Sequence, residues 1–82
     1  MIRNYQPQYS AIRYVGKNAE VDVIIPAPDC TIQFTYHFIR CKDRIIISKS
    51  GGPYTYMVGE KMTTNIKEAV ESFIRLDKVR YM

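Results

Sequence analysis

The sequence predicts an α+β fold: a four- to five-stranded antiparallel meander sheet with one C-terminal helix packed on one face. Three observations predict it. Apolar and polar residues alternate over segments of strand length, breakers rich in proline and glycine separate those segments, and a 3.6-residue apolar period occurs once, near the end of the chain. A one-sided sheet and an amphipathic helix each have an apolar face to bury, and with one helix the economical solution is to bury them against each other. The 82 residues suffice for a single small domain, 1–82. A domain of this size buries roughly 60% of its unfolded surface, so its stability margin is narrow.

Residues 1–8, with Pro7 and two glutamines, read as an extended N-terminal arm. Residues 9–15 read as a strand, and Gly16-Lys17-Asn18 as a tight turn with Lys17-Asn18 in its two-residue loop. That register sets Tyr14 against Val21, Ile12 against Val23 and Arg13 against Asp22, so apolar meets apolar and charge meets opposite charge. Residues 19–25 alternate, with Val21, Val23 and Ile25 on one side and Glu20 and Asp22 on the other. Pro26-Ala27-Pro28-Asp29 interrupts the ladder, since proline has no N–H to donate.

Residues 30–41 carry the clearest strand pattern, with Ile32, Phe34, Tyr36 and Phe38 facing the core and Thr31, Gln33, Thr35 and His37 facing away. A turn at Lys42-Asp43 leads into 44–49, a register that pairs Phe38 with Ile47, His37 with Ser48 and Ile39 with Ile46. Ser50-Gly51-Gly52-Pro53 is a strong breaker, and 54–58 reads as a fifth strand with Tyr54, Tyr56 and Val58 on one side, so the sheet spans 9–58. The helix is predicted over 65–76, within 64–77. Asn65 or Thr64 caps it, and Glu68 sits three residues after Asn65, the capping-box spacing. Ile66, Ala69, Val70, Phe73 and Ile74 form its apolar stripe, and the expected sheet–helix core is Phe34, Tyr36, Phe38, Val70, Phe73 and Ile74.

This element order resembles that of small single-strand-DNA-binding coactivators and of several small phage-encoded inhibitors. The likeness is one of layout alone; no family motif accompanies it.

Cys30 and Cys41 lie at the two ends of one predicted strand, separated by about 36 Å at ~3.3 Å per residue. A disulfide needs Cα atoms within ~7 Å, so two free, half-buried thiols are expected. Reduced thiols, the lack of an apolar leader after Met1 and the lack of an apolar run of ~20 residues predict a complete, cytoplasmic protein that spans no membrane. No Cys-x-x-Cys or His-x-x-His spacing is present, so neither a metal nor a cofactor is expected.

The net charge is +4, with 12 Lys and Arg against 8 Asp and Glu. His37 is the single histidine. Ser48 beside it gives half of a nucleophilic pair without an orienting acid, so the histidine reads as an exposed strand residue and the protein as not an enzyme. Lys49-Ser-Gly-Gly-Pro lacks the Gly-Lys-Ser/Thr of a phosphate loop and reads as a turn. Two surface groups remain. Ile24, Ile39 and Ile46 fall on the face opposite the core, where one helix cannot cover them. Arg13, Arg40, Lys42, Arg44 and Lys49, with Tyr54 and Tyr56, could form a basic and aromatic surface. The expected function is therefore a small non-enzymatic binding protein that occupies a protein partner's surface, in the manner of a phage-type inhibitor of a host or defence component. The alternative is a basic module that binds single-stranded DNA or RNA on a sheet face. A homodimer is compatible with either.

Overall fold

A computed structural model describes residues 6–80 of the chain; Tyr5, Tyr81 and most of the predicted N-terminal arm lie outside the described residues. The elements are β1 (Gln8–Tyr9), β2 (Arg13–Val15), β3 (Asn18–Pro26), β4 (Thr31–Arg40), β5 (Ile45–Gly51), β6 (Tyr54–Lys61) and α1 (Ile66–Arg80). All six strands form one sheet with antiparallel pairings, in the order β1-β3-β4-β5-β6, with β2 also on β3. The α+β meander with one C-terminal helix is thus the observed fold.

The predicted strand over 9–15 is two short strands instead. β1 pairs Tyr9 with Val23, whereas β2 pairs Arg13 with Glu20, so one extra residue is accommodated between them. Ser10 anchors the break: its N–H donates to the Asp22 carbonyl, and its hydroxyl accepts from the Asp22 N–H. The hairpin loop is Gly16-Lys17 rather than Lys17-Asn18, which moves the register by two residues and sets Tyr14 against Ala19 and Val15 against Asn18. The reason is steric. Gly16 takes φ +62°, and among the described residues none other than glycine takes a positive φ, so the turn needs its glycine in the first central position. A shift of two preserves side-chain alternation, which is why the face assignment survives the error.

The β4–β5 register is as the sequence predicts, with Phe38 against Ile47, His37 against Ser48 and Ile39 against Ile46. β6 runs to Lys61, three residues beyond the expected end, because a bulge absorbs Val58: Met57 opposes Ser48 and Gly59 opposes Ile47. Val58 is therefore an extra residue and does not continue the row of Tyr54 and Tyr56. Gly52-Pro53 is the β5–β6 loop, with Gly52 at φ +63°.

The core lies between the sheet and α1. Ala19, Val21, Val23 and Ile25 of β3, Phe34, Tyr36 and Phe38 of β4, and Ile45 and Ile47 of β5 are buried against Ala69 and Val70, with Ile66, Phe73 and Ile74 partly buried on top. Phe73 stands edge-on to Tyr36 (centroids 4.9 Å) and to Phe38 (5.7 Å), the arrangement aromatic quadrupoles favour. Ile32, predicted to face the core, is 47% exposed; it has the right alternation but lies at the far end of β4. α1 begins where predicted and ends four residues later. The Asn65 side chain accepts from the Glu68 N–H at 3.1 Å, and Thr63 donates to the Glu68 carboxylate, so Asn65 is the cap.

A buried acid that the sequence reading missed fixes the far half of the helix. Asp77 is 3% exposed, and its two carboxylate oxygens accept from the hydroxyls of Tyr9 (2.6 Å) and Tyr36 (2.9 Å). One helical residue is thereby tied to β1 and β4 at once. Cys30 and Cys41 flank β4 as free thiols, but both are exposed rather than half-buried. Among the described residues no helix is long and apolar enough to cross a membrane.

Candidate interaction surface

The sheet face opposite α1 is dominated by a polar network. Arg13 projects from β2 and holds two carboxylates of β3: its guanidinium reaches Asp22 at 2.7 and 3.2 Å and Glu20 at 2.8 and 3.2 Å. The sequence paired Arg13 with Asp22 alone; the corrected register puts Glu20 directly opposite and leaves Asp22 within reach of the fork. Thr35 donates to Asp22 at 2.8 Å. Both carboxyls are held below their ordinary values, each chiefly by the Arg13 hydrogen bond, with Thr35 adding to the effect at Asp22. The Arg13 guanidinium is pushed further up, first by Asp22 and then by Glu20.

Carboxyls with depressed values stabilise the fold above their unfolded range, and that contribution is lost as pH falls through the folded values. Both carboxyls are only half-buried and Arg13 is exposed, so solvent screens the interaction and the expected effect is small. In Arg13→Ala, the NMR titration midpoints of Glu20 and Asp22 should both move up towards ordinary carboxylate values. Unmoved midpoints would show that the guanidinium does not hold them.

His37 bridges β3 and β5. Its Nδ1 lies 3.3 Å from Glu20 and its Nε2 2.7 Å from the Ser50 hydroxyl. Direct cross-strand pairing predicts Ser48 beside the imidazole and no acid. The structure selects Ser50 and supplies Glu20, which faces His37 across the β3–β4 ladder. The line of carboxylate, imidazole and hydroxyl has the order of a nucleophilic triad. What it lacks follows from the ladder. The loop-closing pair Gly51–Tyr54 must exchange both of its hydrogen bonds, because the alternative pattern would require a bond between the adjacent residues Gly52 and Pro53. Alternation then turns the Ser50 N–H towards Thr35 on β4. The amides of Ser50 and Gly51, the ones nearest an oxyanion on Ser50, are both committed to the sheet.

The remaining candidates separate into groups. Ile39 and Ile46 are directly opposed, but Ile24 pairs with Gln33, six residues or about 20 Å along β4, and the polar network lies between. The three isoleucines therefore form no common apolar patch. Arg40, Lys42 and Arg44 lie at the end of the sheet that carries the β4–β5 turn. There Arg44 is paired with Asp43 and Glu60, each at 3.2 Å. Tyr54 and Tyr56 lie towards the other end, opposite Gly51 and Lys49, and the Lys49 ammonium sits 4.0 Å above the Phe34 ring. The basic cluster and the tyrosines do not converge.

What does converge is strand β6. Tyr54 is 72% exposed, Tyr56 53%, Met57 63% and Val58 37%. All four are on the strand that closes one side of the sheet, and residues 50–59 carry no charge. The sequence pointed to the two tyrosines. It could not point to Met57 or Val58, since edge position is a property of the pairing order and the bulge breaks the alternation. No family model matches the chain, and no curated protein and no solved structure matches it.

Proposed function

We propose that the chain is a small non-enzymatic binding protein that acts by occupying a protein partner's surface, with β6 as the contact strand. The observation that supports this reading most is the exposure of Tyr54, Tyr56, Met57 and Val58 on the edge strand, within the stretch 50–59 that carries no charge. Tyrosine is enriched in the residues that dominate binding energy, and long uncharged edges are otherwise rare because they recruit other strands. The commitment of the Ser50 and Gly51 amides to the ladder favours a binding role over acyl transfer at His37. The separation of the tyrosines from Arg40 and Lys42, and the internal pairing of Arg13 and Arg44, weigh against a single-strand nucleic-acid groove, which needs cations and rings on one track. The exposed free thiols fit a cytoplasmic location, and an inhibitor that blocks a host or defence component is the role this size and surface suit.

Two measurements test it. Capture from nuclease-treated lysate should recover protein at physiological salt with the natural chain, and lose it with Tyr54→Ser and Tyr56→Ser combined. Anisotropy with a labelled single-stranded oligonucleotide should give no saturable binding. Tight oligonucleotide binding that falls steeply with salt would instead establish the nucleic-acid reading.

A further inference from the structure

We propose that β6 of the free protein is occupied by β6 of a second copy, joined edge to edge about a two-fold axis through Tyr56, a pairing that any other protein binding at this strand must displace. The inference rests on β6 being the contact strand and names its occupant.

The Gly51–Tyr54 pair exchanges both hydrogen bonds, so along β6 Tyr54 and Tyr56 turn their N–H and C=O groups towards β5. Thr55 and Met57, paired with Ser50 and Ser48, turn theirs to the open side. Nothing among the described residues pairs with that side. The two outward residues flank Tyr56 symmetrically. An antiparallel copy centred on Tyr56 sets Thr55 against Met57 of the other chain and Met57 against its Thr55, so all four outward N–H groups meet all four outward C=O groups. A two-fold axis normal to the sheet keeps each face continuous, with both helices on one side.

The side chains agree with this register. Tyr56 meets Tyr56 on the helix side, with Tyr54 next along that row, and Thr55 meets Met57 on the other, so Tyr56 and Met57, both exposed in the single chain, become covered. No charge lies within the paired segment, so no like charges meet across the axis. The opposite edge of the sheet is protected by means natural proteins use: it is split between β1 and β2, and Pro7 precedes it. The regular stretch 54–57 has neither a proline nor a charge, and the bulge lies beyond it at Val58.

The experiment is light scattering after size exclusion, from low micromolar to hundreds of micromolar chain. The natural chain is expected at twice 9.6 kDa. Met57→Pro, which removes an outward N–H without touching the β5 ladder, is expected at the single mass, and Met57→Leu at the double mass. Should the proline variant fail to fold, Tyr56→Lys, which leaves the backbone intact and sets two ammonium groups at the axis, is expected to be a folded monomer by circular dichroism and mass. A natural chain that stays monomeric throughout, or a folded Met57→Pro or Tyr56→Lys that stays dimeric, overturns the inference. A monomer that still captures protein through Tyr54 and Tyr56 would overturn the second-copy occupant alone; a monomer whose capture ignores those tyrosines would overturn the contact strand as well.

Discussion

Phe38→Ala is expected to destabilise the protein by about 3–5 kcal/mol, the cost of deleting a buried aromatic ring. Phe38 is fully buried at the centre of β4, between Ala19 of β3 and Ile47 of β5, with the Phe73 ring standing on it. The cavity cannot be filled from the sheet, because both neighbouring strands are fixed by their ladders, nor from the helix, which Asp77 ties down. A domain of this length has about 4–12 kcal/mol of stability in all, so the variant should be largely unfolded or melt at least about 12 °C lower. The next residue supplies the control: Ile39 points to the open face, and Ile39→Ala should cost under about 1 kcal/mol. Equal losses at the two positions in chemical denaturation would contradict helix-on-sheet packing.

Asp77→Ala is the second large effect, expected at about 2–4 kcal/mol. Hydrogen bonds to a carboxylate are worth more than neutral ones, and the substitution leaves the Tyr36 hydroxyl buried without this acceptor. It also unties the last turns of α1 from β1 and β4. Tyr36→Phe should cost less alone and add little on top of Asp77→Ala, since the two changes remove one shared interaction. Additive losses in a double-mutant cycle measured by denaturation would mean that the acid is held by something other than the tyrosines.

These two residues mark what could be read from the sequence and what could not. Phe38 was legible because alternation along β4 is a local property, and a two-residue error in the neighbouring hairpin leaves faces unchanged. Asp77 was not. It occupies an inward position four residues after Phe73, where an acid breaks the apolar period, and its partners lie 41 and 68 residues away in sequence. The same limit applies at the candidate site. Tyr54 and Tyr56 could be marked as surface residues from their types, but which strand ends the sheet, and which amides it leaves open, depends on pairing order. Ser50 in place of Ser48 beside His37 is a diagonal contact that direct cross-strand pairing does not yield. The split of the first strand at Ser10 follows from a hydroxyl competing for a backbone amide, for which the sequence shows only one serine among residues of strand type.

The most direct test of β6 as a self-pairing strand is amide hydrogen exchange read residue by residue by NMR at two chain concentrations. The Tyr54 and Tyr56 amides face β5 and should exchange slowly at both. The Thr55 and Met57 amides should be equally protected when the chain is concentrated and become fast on dilution, as the second copy leaves. Fast exchange at Thr55 and Met57 at every concentration, beside slow exchange at Tyr54 and Tyr56, would contradict the account.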